Sequence, residues 1–146
     1  MTKGVITVPV NATVRNAAKL MSEKHLGSLV VVRGKEAVGI ITERDVLGAV
    51  SEGLNLKRTK VSDIMSTPII AINEDATIYD AVKVMGEKKI KKLPVLSKKR
   101  LVGIITLTDF ARVEPKISEI LAKFIAEKEI PQRFEKYLKP KISYIV

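Results

Sequence analysis

Apolar positions in the first third of the chain change their spacing several times, and each change marks an element. Val14, Ala17, Ala18 and Met21 stand at i, i+3, i+4 and i+7, the pattern of an amphipathic helix. Thr13 precedes them as an N-cap, and Asn11 sits in the turn that leads in. Ahead of that helix, Val5 to Val8 reads as a short strand. After it, SLVVV (28–32) is a continuous apolar run short enough for a buried strand. The polar turn RGKEA (33–37) joins this run to VGII (38–41), so the two predict a hairpin. At Thr42 the spacing turns helical again through Asp45, Val46 and Leu47. The predicted order is β-α-β-β-α.

The same order follows a second time. Shifted by 64, residues 6–45 lie over residues 70–109 without a gap. The second copy predicts a strand from Ile69 to Ile72, a turn at Asp75 and an N-cap at Thr77. Its helix carries Ile78, Ala81, Val82 and Met85, and its hairpin joins LPVL to VGII across SKKRL. The last helix enters at Thr106 and runs through Asp109, Phe110 and Ala111. Even MTKGVI (1–6) resembles MSTPII (65–70). Repetition of this kind fixes the architecture before any motif is considered. One unit of about 50 residues buries too little apolar surface to be stable alone. Two copies packed through their apolar strands, related by a pseudo-two-fold axis, meet that need. The expected division is residues 1–60 as first unit with connector and 61–112 as second unit. SEGLNLKRTKVSD (51–63) forms the connector, and a short turn, DIM, follows.

Residues 113–146 form a helical extension. Ile117, Ile120, Leu121, Phe124 and Ile125 fall at helical spacing, Pro131 ends or restarts the helix, and Phe134, Tyr137 and Leu138 suggest one short helix more. The chain closes on the apolar run ISYIV. Three roles are open for this tail: covering the edge of its own module, packing on a second subunit, or binding a separate partner.

Composition narrows the chemistry. The 146 residues contain no Cys, which excludes disulfides and thiolate catalysis and fits a reducing, cytoplasmic setting. No apolar run approaches the roughly 20 residues of a membrane span. The formal net charge is +10, with one dense run, KKIKK, at Lys88 to Lys92. Such a field favours anionic partners such as nucleotides, nucleic acid or acidic proteins. Lys/Glu/Ile-rich, Cys-free chains are also common in thermophiles, so the charge taken alone is equally well a matter of solubility. His25 is the sole histidine, so no His/Cys metal site can be completed. No phosphate-binding P-loop, dinucleotide fingerprint or nucleophile elbow is present.

The chemistry that repeats is GIITERD (39–45) and GIITLTD (103–109), identical at five of seven positions. T-x-x-D where a strand becomes a helix is an ordinary capping box with Asp in place of Glu. Two copies in one chain suggest more. The carboxylate of Asp45 or Asp109 can accept both hydroxyls of a ribose, and the hydroxyl of Thr42 or Thr106 suits phosphate.

These residues resemble the CBS domain, named after cystathionine β-synthase, and the tandem resembles a stand-alone CBS pair or Bateman module. The likeness covers about residues 1–112. It rests on the M-x-x-x-x-I opening, the A-T-V/I-x-x-A helix start, L-P-V on the middle strand, and G-h-h-T-x-x-D, with h apolar, at the end. The resemblance implies a regulatory module with no catalysis of its own. It would sense AMP, ADP, ATP or S-adenosylmethionine in the cleft between the units. It also implies sites that combine the last motif of one unit with the first strand of the other. On that pattern Thr42, Arg44 and Asp45 join Ile70, Ile90, Lys91 and Lys92. Thr106, Thr108 and Asp109 join Ile6, Leu26, Gly27 and Ser28, with Lys24 and His25 nearby. A homodimer and an unidentified regulated protein are the expected partners, without cofactor, metal or membrane. The alternative is a nucleic-acid-binding protein using the basic surface. Only 4% of residues are aromatic and no reading helix is evident, which argues against it.

Overall fold

The computed structural model describes residues 5–127, 130 and 132–142. The chain forms two compact units, one spanning Ile6–Ile70 and one beginning at Ala71 and taking in the tail.

In the first unit, β1 (Thr7–Pro9) runs parallel to β2 (Ser28–Arg33), which pairs antiparallel with β3 (Glu36–Thr42). Between β1 and β2 lies α1 (Val14–Lys24); after β3 comes α2 (Glu43–Ser51). The second unit repeats this with β4 (Ile72–Asn73), α4 (Ile78–Lys88), β5 (Lys92–Ser97), β6 (Arg100–Thr106) and α5 (Leu107–Val113). In between lies α3 (Val61–Ile64). The hairpins match in detail. Each has a register shift at equivalent places, between Val31 and Val32 and between Val95 and Leu96.

The β-α-β-β-α order is as predicted, with two differences at strand starts. The first strand of each unit begins later than its apolar run, at Thr7 rather than Val5 and at Ile72 rather than Ile69. Apolar alternation reports which residues bury. A strand begins only where a neighbour runs alongside, and the parallel ladders start at Thr7↔Val30 and Ile72↔Val95.

Helix ends follow from local chemistry. The amides of Asn16, Asp45, Asp80 and Asp109 donate to the hydroxyls of Thr13, Thr42, Thr77 and Thr106 at 3.2 Å each. This satisfies donors that a helix start otherwise leaves open. Both α1 and α4 end on a left-handed residue, His25 and Lys89. The next amide then folds back, Leu26 to the Met21 carbonyl and Ile90 to that of Met85.

The core of the first unit gathers Val8, Ala17, Met21, Leu29, Val31, Ile41 and Val61. Val61 comes from the connector, which stays with this unit although the sequence repeat restarts near it. Connector backbone closes over the start of α1. Val14 N donates to the Thr59 carbonyl (2.9 Å), and Val61 N donates to the Ala12 carbonyl (2.8 Å). Farther on, Ser66 bridges to Ile40 of β3.

The tail packs into the core of its own unit. Helix α6 (Lys116–Glu127), a 3-10 turn (Gln132–Phe134) and α7 (Glu135–Leu138) bring Ile117, Ile120, Leu121, Phe134, Leu138 and Ile142 into the core. There they meet Ile78, Val82, Met85, Leu93, Ile105 and Phe110. The side chain of Ile125, Pro131 and residues 143–146 of ISYIV lie outside the described residues. The end of the tail repeats the work of the connector. Ile78 N donates to the Pro140 carbonyl (2.8 Å), and Ile142 N to that of Ala76 (3.0 Å). Lys141 bridges Thr77 as Lys60 bridges Thr13. TKV (59–61) thus finds a counterpart in PKI (140–142), 81 residues on.

Candidate ligand-binding site

The two Thr-x-x-Asp motifs are complete capping boxes. Thr42 N donates to Asp45 Oδ2 at 2.8 Å, and the Thr42 hydroxyl lies 3.0 Å from the same oxygen. Thr106 N donates to Asp109 Oδ2 at 2.9 Å. Both aspartates are half-buried, held at the junction of strand and helix. The capping box explains the spacing of Thr and Asp. It also fixes each carboxylate in one rotamer, so that any ligand meets a preorganised group.

Each motif is tied to the loop before the middle strand of its own unit. Glu43 N donates to the Gly27 carbonyl (3.0 Å), and Leu107 N to the Lys91 carbonyl (3.1 Å). At the end of each hairpin Ser28 faces Thr42 and Lys92 faces Thr106. Leu26, Gly27 and Ser28 are therefore gathered with Thr42, Arg44 and Asp45. Ile90, Lys91 and Lys92 are gathered with Thr106, Thr108 and Asp109. The resemblance grouped these sets the other way, last motif of one unit with the loop of the other. Within a unit the backbone joins them directly.

The remaining residues lie apart in their elements. Ile6 precedes β1 and packs against the first core. Ile70 stands in the extended stretch before β4 and is exposed. Arg44, Lys91, Lys92, Thr108 and Gly27 are exposed; Leu26, Ser28 and Ile90 are half-buried. His25 is an exposed helix end. Glu43 was not singled out in the sequence. A Cβ built on Gly27 would stand 3.9 Å from its carboxylate, so Glu43 lies over the Gly27 loop. No sequence signal marked it, because its place over the loop depends on the bond from its amide to the Gly27 carbonyl.

One pocket falls outside every sequence expectation. It has a volume of about 760 Å³ and is lined by Ile78, Val113, Glu114, Lys136, Tyr137, Lys139 and Pro140, where the tail crosses α4. Nothing in the motifs pointed to it, because its walls come from segments far apart in the chain. Among the described residues no three His, Asp or Glu gather to hold a metal, and no helix is long and apolar enough to cross a membrane.

The model of the CBS domain matches residues 1–52 and again 61–116. The chain belongs to the CBS domain family. Its two CBS domains are the two copies of the repeat. An uncharacterized protein of Methanopyrus kandleri is 41% identical over 132 residues, 86% of this chain and 67% of that one. CBS domain-containing protein YhcV of Bacillus subtilis is 36% identical over 112 residues, 76% of this chain and 79% of its own. Among solved structures, CBS domain protein PAE2072 from Pyrobaculum aerophilum, complexed with AMP, superimposes with a TM-score of 0.71. It is 26% identical, over 84% of this chain and 95% of that one.

Proposed function

We infer that this CBS pair is a regulatory module that binds an adenosine-containing ligand at its two Thr-x-x-Asp motifs and performs no catalysis itself. The ligand class is AMP, ADP, ATP or S-adenosylmethionine. The binding residues are those of the two gathered sets together with Ile6 and Ile70. The observation that carries the reading is the pair of fixed carboxylates. Each is held by its own capping box beside a loop that supplies backbone and polar side chains, in a family with an AMP-bound relative. Capping uses Oδ2 of Asp45, and a ribose hydroxyl can donate to Oδ1. Readout requires a ligand that binds two states unequally, and a partner that distinguishes those states.

A homodimer fits the surface. Leu47, Val50 and Leu54 project from one side of α2 and the turn after it, and all three are exposed. An apolar stripe of this kind is suited to a second copy.

Calorimetry with AMP, ADP, ATP and S-adenosylmethionine tests the reading. Asp45→Ala and Asp109→Ala should each remove binding at one motif, and the double variant should bind none of the four. The fold should persist, since losing a cap costs about 1 kcal/mol. Unchanged affinity in the double variant refutes the ribose assignment.

A further inference from the structure

The two motifs differ in charge at matched positions. Lys24, His25, Gly27 and Ser28 in the first unit stand where Lys88, Lys89, Lys91 and Lys92 stand in the second. Beyond the strand, Glu43 and Arg44 correspond to Leu107 and Thr108. With Asp45 and Asp109 included and His25 neutral, the first set has two cations and two anions. The second has four cations and one anion, net +3. The structure makes this difference local. Lys91 and Lys92 are bonded by their backbone to the Thr106 junction, whereas at the equivalent place Gly27 has no side chain and Glu43 lies over it. The ion pairs among the described residues are Lys19 with Glu23 and Lys123 with Glu119, so the cations of the KKIKK run have no carboxylate partner there.

We propose that Lys91 and Lys92 make the Thr106–Asp109 motif selective for a nucleoside di- or triphosphate, while Glu43 makes the Thr42–Asp45 motif prefer adenosine ligands of low negative charge. The proposal rests on the nucleotide-binding reading and adds which motif reads phosphate. An exposed lysine gains a charge-assisted bond only where phosphate reaches it, and each phosphate beyond the first increases the attraction. A carboxylate over the loop acts with the opposite sign. Arg44, exposed in the first turn of α2, offsets only one of the two carboxylates, so with Lys24 the first set remains neutral overall.

Single-motif variants of the full chain separate the two ends. Asp45→Ala leaves the Asp109 motif and Asp109→Ala leaves the Asp45 motif; each is titrated with adenosine, AMP, ADP and ATP. With Asp45→Ala, ATP should bind at least about tenfold tighter than adenosine. Adding Lys91→Ala and Lys92→Ala should collapse that ratio, with ATP affinity falling far more than adenosine affinity. With Asp109→Ala adenosine should bind tighter than ATP, both lysines should be without effect on that order, and Glu43→Gln should raise ATP affinity there. The preference should weaken with salt, because exposed charges are screened. If the lysine changes act only in the Asp109→Ala background, the lysines serve the other motif and the proposal is overturned. If ATP and adenosine bind equally in both backgrounds, the charge difference selects nothing and the proposal fails alone. If wild type binds none of the four ligands, the nucleotide reading fails with it.

Discussion

Gly39 opens the first GIIT, and nothing in a buried strand calls for glycine there. The reason is the connector. A Cβ on Gly39 would stand 2.8 Å from the Ser66 carbonyl and 2.9 Å from the Met65 sulfur, where the chain crosses β3 to bridge Ile40. Backbone cannot yield as a side-chain tip does. Gly39→Ala should therefore destabilise the protein by about 1–3 kcal/mol, the usual range for overpacking, without touching either aspartate. Denaturant unfolding with an unchanged midpoint would show that the crossing has slack. Thr42 and Asp45 present the opposite case. Their spacing made the capping box readable in advance, because a hydroxyl and a carboxylate three residues apart have a local partner in the backbone. Glu43 was not readable, because its significance depends on Gly27, sixteen positions earlier.

Among elements, the four Thr-capped helices were legible because cap and apolar period agree at each. What α4 packs against was not. Gly86 lies in its buried face, and a Cβ there would run into the Phe124 ring of α6. The matched position in α1 is Ser22, which is exposed, so only the second unit has this close crossing. Helical spacing in the tail showed that α6 has one face to bury but not the surface that receives it. The crossing gives a double-mutant test. Phe124→Ala should cost about 3–5 kcal/mol, and Gly86→Ala about 1–3 kcal/mol through overpacking. Combined, they should cost less than their sum, since the added methyl enters space the ring has left. Strict additivity in thermal or denaturant unfolding would mean that Gly86 and Phe124 do not meet.

For the whole molecule, the shift of 64 organises the chain as far as α5, and the strap over each first helix obeys another offset. Residues 59–61 close the start of α1, and residues 140–142 close the start of α4, 81 positions later. The additional 17 positions accommodate α6 and the turns after it. That insertion hid the correspondence in the sequence, and the strap bonds are between backbone groups, which leave almost no side-chain pattern. The tail is thus the second unit's equivalent of the connector, lengthened by a helix that enters the core. Removing residues 139–146 should leave the Ile78 amide without its Pro140 acceptor and strip Ile142, fully buried, from the core. Losing that side chain alone is worth about 2–5 kcal/mol. Hydrogen exchange at Ile78 should then accelerate to the rate of an open helix end, and the protein should melt earlier. Ile142→Ala keeps the backbone strap and loses the side chain. It should lower the melting temperature while leaving Ile78 more protected than the truncation does. Equal exchange at Ile78 in wild type and truncated protein would mean that the strap contributes nothing, and that α6 alone holds the tail in place.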